Sequence, residues 1–399
     1  MGKVEFIALM AMLMALNALA IDIMLPGLQE IGASLGVESE NHRQYVISAY
    51  VLGFAFAQLA YGPLSDRFGR RLPLLVGLGI YFAAAIGAVF VPTFSALLLM
   101  RVIHGIGSAA TRVISVSIIR DVFGGRKMAE VMSLVMMVFM IVPVVAPGTG
   151  QIIMLFGEWH YIFVFMAAMA LIVTGWLYLR LPETLDPADM RPFTPSSILR
   201  GFGIVLGNRV ALCYTLASAF LFGALFGFIN SAQQIYVGIY DLGTMFPVAF
   251  AAVALFMALS SFLNSRLVVR FGMRRLSHGA LLGFMAVSAV WFAVSLFGVI
   301  PFPLFLLLFA LAMFQFGLIG SNFNALAMEP LGHVAGTASS VLGFMGTAGG
   351  GAIGALIGQA FDGTTTPLGA GFFAVSIIGL IFVLIAEKGR LFQPHNKPV

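Results

Sequence analysis

Apolar residues fall in blocks of about 20 along this chain, the length that crosses a bilayer as a helix, and short polar breaks separate them. The blocks lie near 4–27, 44–64, 72–91, 94–120, 129–153, 161–180, 208–230, 244–265, 277–299, 303–328, 337–360 and 369–386. Turn-forming clusters punctuate them: Val91-Pro92-Thr93, Gly157-Glu158-Trp159-His160, Pro301-Phe302-Pro303 and Asp362-Gly363-Thr364. No block alternates apolar with polar at a period of two, so they predict helices and not barrel strands. Asp22 is the one acidic residue well inside a block, and Arg101 and Arg112 are the basic ones, both in the fourth.

Composition agrees. Hydrophobic residues make up 60% of the chain and charged residues 9%, against roughly a half and a quarter in a soluble domain. So apolar a chain uses lipid as its solvent, where backbone polar groups must pair internally. Cys213 is the single cysteine, which excludes an internal disulfide framework and reads as a packing residue. The N-terminal block is too long for a signal-peptide core and has no small-residue cleavage site, so it reads as a retained first helix.

The net charge of +5 reports topology rather than nucleic-acid binding. With twelve spans and both termini in the cytoplasm, 18 of the 21 basic residues fall on the cytoplasmic side, Arg191 and Lys397 among them, and only Arg43 falls outside. That asymmetry satisfies the positive-inside rule. An odd number of spans would destroy it.

The polar breaks carry a repeat. Gly62-Pro63-Leu64-Ser65-Asp66-Arg67-Phe68-Gly69-Arg70-Arg71 reads as a short basic loop between the second and third blocks. A degraded copy, Arg270-Phe271-Gly272-Met273-Arg274-Arg275, follows 203 positions later, with Arg270 matching Arg67 and Val269 in the place of Asp66. The expected architecture is all-α and integral to the membrane, with twelve helices in two pseudo-symmetric halves. These are an N-terminal six-helix half over 1–180, a cytoplasmic linker over 181–207 containing Pro182, Pro187, Pro192 and Pro195, and a C-terminal half over 208–399.

The Gly62–Arg71 motif resembles the loop signature of the major facilitator superfamily, and its place between spans two and three fits. Ala20-Ile21-Asp22-Ile23-Met24-Leu25-Pro26 resembles the start of drug:proton antiporters of the Bcr/CflA type. Arg101-Val102-Ile103-His104-Gly105-Ile106-Gly107 is similar to the family's second signature. Ala146-Pro147-Gly148-Thr149-Gly150 is similar to its antiporter signature in span five, with Ala146 where the family has Gly. Glu329 to Ser340 also looks typical of the subgroup. The resemblance implies a major facilitator fold and a proton-coupled multidrug antiporter of the bacterial inner membrane. Its alternative is a proton symporter or facilitator for a small metabolite.

Candidate chemistry starts at Asp22. An ionised carboxylate is costly in a bilayer, so an Asp facing an aqueous cavity is suited to taking up and releasing a proton; otherwise it serves backbone donors beside Pro26. The resemblance assigns Arg101 to the same coupling, acting on the Asp22 carboxylate; the alternative is an Arg bonded to carbonyls of span one. Arg112 lies 11 residues after Arg101, so the two share a helix face about 16 Å apart along the axis. They form a positive stripe with Gly105 and Ser108 between them, suited to an anionic or electron-rich substrate, unless Arg112 snorkels to the cytoplasmic surface. A packing role is expected for His104.

Gly62, Asp66, Arg67, Gly69, Arg70 and Arg71, with Asp121 as a further ion-pair partner, are candidates for gating. Pro143, Pro147, Gly148 and Gly150 would bend span five, which the resemblance links to antiport. Gly349, Gly350, Gly351, Gly354 and Gly358 read as a packing face of span eleven. A substrate cavity near the midplane has Asn17, Tyr50, Gln58, Arg112, Asn230, Gln234, Gln315 and Asn322 as candidate lining. The sequence offers no catalytic or metal constellation, and Gly124-Gly125 belongs to no nucleotide-binding loop. The expected partners are a drug-like small molecule, protons and membrane lipid, with no nucleic acid. The expected cofactor is none, a proton gradient supplying the energy to a protein working as a monomer.

Overall fold

The computed structural model describes residues 1–123, 125–190 and 195–393. Gly124, Arg191, Pro192 and Lys397, which entered the sequence reading, lie outside the described residues. The chain divides into two compact units, Met1–Ile198 and Leu199–Val399. The long helices of the first are α1 (Lys3–Asp22), α2 (Tyr45–Phe68), α3 (Arg71–Val89), α4 (Phe94–Val122), α5 (Gly125–Phe156) and α6 (His160–Arg180). Those of the second are α7 (Arg209–Gln233), α8 (Phe246–Phe271), α9 (Met273–Ser295), α10 (Phe302–Met328), α11 (Ala335–Gln359) and α12 (Thr366–Ala386).

Among the described residues eleven helical segments are long and apolar enough to cross a membrane. The remaining long helix, α5, contains the apolar stretch Ile141–Phe156. A 13-residue helix, Pro195–Gly207, occupies the end of the stretch read as a linker.

In the first unit α2 and α4 run in the same direction with their backbones touching. A Cβ at Gly53 would overlap the Val102 carbonyl oxygen, and one at Gly105 would overlap the Tyr50 carbonyl oxygen, so only glycine permits this approach. The second unit is held by stacked and edge-on aromatic rings: Trp291 meets Phe305, Phe309 and Phe372 at centroid distances of 5.6, 5.8 and 5.1 Å. On α11, Gly350 and Gly354 face Phe222 and Phe226 of α7, a packing role.

The first helix of each unit loses regular geometry at its far end. In α1 the residue four positions after Asp22 is Pro26, which has no N–H to offer the Asp22 carbonyl. The helix stops at Asp22, tightens into a 3₁₀ turn over Leu25–Gly27 and resumes as Leu28–Ser34. In α7 the end widens into a π-helical turn over Gln234–Ile239.

The basic motif is less of a loop than its sequence suggests. Pro63 is tolerated inside α2, which continues through Phe68, and α3 starts at Arg71. Gly69 and Arg70 alone join the two helices. Gly69 has φ +82° and Gly272, at the corresponding turn of the second unit, has φ +80°. A left-handed residue ends each helix sharply, and glycine carries that conformation without strain.

Candidate functional site

Asp22 is 5% exposed, and its Oδ1 has no hydrogen-bond partner. It lies within electrostatic reach of Tyr50. Arg101 does not pair with it. The Arg101 guanidinium donates from Nη2 to the Ala20 carbonyl of α1 at 2.8 Å and from Nε to the Val46 carbonyl of α2 at 3.0 Å. Its Nη1 lies 3.1 Å from His104 Nδ1. Arginine has only donors, so Nδ1 accepts and the His104 proton sits on Nε2. The guanidinium carbon also lies 4.6 Å from the Tyr50 ring centroid. Arg101 thus ties α4 to the carbonyls of α1 and α2 just before the helix break, and leaves the carboxylate without a cation.

The proline–glycine segment of α5 packs on that break. A Cβ at Gly150 would overlap the Ile23 carbonyl oxygen, next to Asp22, and would lie 3.1 Å from Pro26 Cγ. Pro143 and Pro147 sit within the continuous helix, and Gly148, directly after Pro147, is half-buried. What this segment visibly does is bring the α5 backbone up to the interrupted end of α1.

Above Asp22 in the sequence, Asn17 Nδ2 donates to Tyr50 Oη and to Ser108 Oγ, both at 3.1 Å, and Tyr50 Oη donates to Ser108 Oγ at 2.7 Å. Asn17 and Tyr50, read as cavity lining, are spent on each other and on Ser108. The positive stripe along α4 is likewise interrupted. Arg101 is fully enclosed, Gly105 is covered by the α2 backbone and Ser108 is buried, while Arg112 alone is exposed.

The motif charges meet one another. Arg70, 2% exposed, donates from Nε to Asp121 Oδ2 at 2.6 Å and from Nη1 to Ser65 Oγ at 2.9 Å and to Asp66 Oδ1. Burial works against its charge, and Asp121 and Asp66 more than offset that, holding its pKa above the ordinary value. The carbonyl of Gly62 accepts from Ser65 Oγ, and Arg67 is exposed.

Glu183, just beyond α6, completes the clamp. Its carboxylate accepts from the backbone N–H of Arg70 at 2.8 Å, of Arg71 at 3.0 Å, and of Thr184 and Leu185. Burial would raise its pKa, but the four N–H donors outweigh it and hold the carboxyl below the usual range. A Cβ on Gly69 would come within 2.6 Å of Glu183 Oε2. Arg71 donates to the Tyr178 carbonyl and lies 5.0 Å over its ring. The sequence reading missed Glu183 because it falls outside the motif, and its one signal was an acid immediately after the end of a basic-flanked span.

The second unit has a counterpart. Arg274 donates from Nε to Glu387 Oε1 at 2.8 Å and from Nη2 to Glu329 Oε2 at 2.9 Å. Tyr214 Oη donates to the same Glu387 oxygen and lies 2.8 Å from His278 Nε2. At the repeat offset of 203 Arg274 corresponds to Arg71 and not to Arg70, so the clamping arginine has moved by one residue.

The remaining cavity candidates are mixed. Gln58 is buried with Nε2 unpaired, and Asn230 is buried with Oδ1 unpaired. Gln234 is buried at the π turn and is bonded. Gln315 is half-buried, with its amide nitrogen 3.0 Å from a Cβ placed on Gly283. Asn322 donates to Asn264 Oδ1 of α8 at 2.7 Å.

Charges few in number, set at helix ends and at one helix break in an otherwise apolar helical chain, are the equipment of a membrane transporter and not of an enzyme. The chain belongs to the Major Facilitator Superfamily, whose family model matches residues 7–355, and it is an integral membrane protein and a secondary transporter. It is 30% identical over 364 residues to the bicyclomycin resistance protein homolog of Haemophilus influenzae, covering 91% of each chain. It is 26% identical over 387 residues to multidrug resistance protein D of Escherichia coli, covering 96% of this chain and 95% of that protein. The solved structure of the E. coli xylose transporter XylE in a partially occluded inward open conformation matches with a TM-score of 0.73 over 97% of both chains at 13% identity, which shows the shared fold.

Proposed function

We propose that this protein is a proton-coupled efflux antiporter for small amphipathic, drug-like compounds, working by alternating access in the bacterial cytoplasmic membrane with both termini in the cytoplasm. The observation that carries the reading is Asp22, a buried carboxyl with an unpartnered oxygen and no cation, set where α1 is interrupted. A carboxyl in that setting exists cheaply as the acid and is costly as the anion. It binds a proton from the outside as substrate leaves, and gives it up inside so that the next substrate is loaded. The drug-resistance names of the relatives support the direction of transport and the class of cargo.

Arg101 acts in this cycle as a positioning residue, fixing the carbonyls that frame Asp22, and the Arg70 clamp latches the helix ends of the first unit. No cofactor takes part: the proton gradient drives a monomer embedded in lipid. The test is uptake of a labelled drug panel into inverted membrane vesicles with and without an imposed pH gradient. Gradient-driven accumulation supports the antiporter. Equilibration that ignores the gradient supports a facilitator, and accumulation of a sugar or amino acid in right-side-out vesicles supports a symporter.

A further inference from the structure

One charged side chain is left over by this mechanism. Arg112 lies inside the span of α4, is exposed, and makes no ion pair among the described residues; its guanidinium lies within electrostatic reach of Tyr50. A permanent cation at this depth is expensive unless something answers it.

Its direction is fixed by its helix face. Arg112 follows Ser108 by four residues and shares the face of Arg101, so it points to the α1 and α2 side, where Asn17, Tyr50 and Ser108 are bonded together. The lipid-side groove of α4 lies on another face, lined by Val102 and Ile106 together with Leu52, Phe56 and Val76. Arg112 therefore does not face that apolar groove.

A second donor stands at the same level. α2 and α4 run in the same direction, and their backbones meet where Gly105 abuts Tyr50. Gln58 is 8 residues beyond Tyr50 and Arg112 is 7 beyond Gly105, rises of about 12 and about 10 Å. Gln58 is 5% exposed and its amide Nε2 has no partner. An unpaired N–H₂ and an unpaired guanidinium thus sit one layer beyond the Asn17–Tyr50–Ser108 knot, and the ion pairs of the unit place no carboxylate on Arg112.

We infer that Arg112 and Gln58 form an oxyanion-recognising subsite, and that the preferred cargo carries a carboxylate or an equivalent singly charged oxyanion. The guanidinium answers the charge with paired N–H donors, and the Gln58 amide supplies a further one. This deepens the export reading and rests on it for the word cargo, but the subsite itself is testable by binding alone.

The experiment uses the full-length purified protein in detergent and three probes on one aromatic scaffold: naphthylacetate, naphthylacetamide and naphthylethylamine. Binding is followed by the shift in thermal unfolding midpoint and by titration calorimetry. The carboxylate is expected to bind about tenfold more tightly than the amide or the amine, the worth of one charge-assisted contact. Arg112→Gln should abolish that preference, Arg112→Lys should keep part of it, and Gln58→Leu should weaken it severalfold. Size-exclusion profiles and the probe-free melting midpoint establish that the variants fold. Equal binding of all three probes, no binding of any, or a preference that survives in Arg112→Gln overturns the subsite. The export reading is judged separately, by whether transport of the amide in proteoliposomes moves protons and whether Asp22→Asn stops it.

Discussion

Arg101 Nη2 lies 2.8 Å from the carbonyl oxygen of Ala20, two residues before Asp22. The same side chain reaches the Val46 carbonyl and His104, so one planar fork fixes three groups on three helices. Arg101→Lys has a single point charge in place of the fork and should lower the unfolding midpoint. Arg101→Ala should lower it further, since each carbonyl left bare in a dry site costs about 1–3 kcal/mol. Thermal unfolding in detergent, with and without a bound probe, measures both.

Asp22→Asn should fold normally and lose proton-driven accumulation. Exchange of labelled for unlabelled substrate across vesicles without a pH gradient should continue, because Asn mimics the protonated acid in shape and charge. Undiminished uphill export by the variant would remove Asp22 from the coupling step.

Gly150→Ala should impair transport more than a helix-interior Gly to Ala change normally would, since in an exposed helix that change is favourable. The new methyl overlaps the Ile23 carbonyl, and either α5 retreats or the α1 break shifts, moving Asp22. The check is a proton-leak assay on proteoliposomes beside the export rate: leak should rise as export falls.

Gly69→Ala should destabilise the first unit twice over. Alanine at φ +82° is strained, and its Cβ would stand 2.6 Å from Glu183 Oε2. A loss of about 1–2 kcal/mol from the backbone alone is expected. Gly272→Ala meets nothing within 4 Å, so it should show the backbone cost without the steric one. The difference between the two melting midpoints isolates the contact with Glu183.

Glu183→Gln should cost about 1 kcal/mol, the net worth of charge-assisted backbone bonds discounted for a partly exposed group. The folded carboxyl is held below its ordinary pKa. Its stabilisation is therefore present in full above the ordinary glutamate value and fades as the pH falls through the lowered one. Wild type and variant should differ most at neutral pH and converge in acid. A gap that stays constant down the pH scale would show that the carboxylate charge is not what holds the turn.

The helices were legible because apolar blocks of membrane length have few other readings, and Asp22 stood out because nothing else acidic shares its depth. The partners were not legible. Arg70 meets Glu183 across 113 positions and Arg274 meets Glu387 across 113, and periodicity says nothing about pairings at that range. Asn17 and Tyr50 look like free lining in the sequence, which does not show which helix faces touch; in the structure they are bonded to each other. The one-residue displacement of the clamping arginine was hidden by an apparently simple repeat.

The displaced arginine sets the two units apart at one point. Both copies keep the glycine bend, at Gly69 and Gly272, while the arginine sits one place apart; the acids stand at matching helix ends, Asp121 and Glu329 at the end of the fourth long helix of each unit and Glu183 and Glu387 after the sixth, and Asp66 is replaced by Val269. The two units thus share the backbone corner and the placing of the acids, and differ in which residue carries the cation that meets them. A chimera that swaps the corner of one half into the other would carry the right bend with its arginine one residue out of register. The two halves of this carrier are no longer interchangeable modules, however alike their outlines.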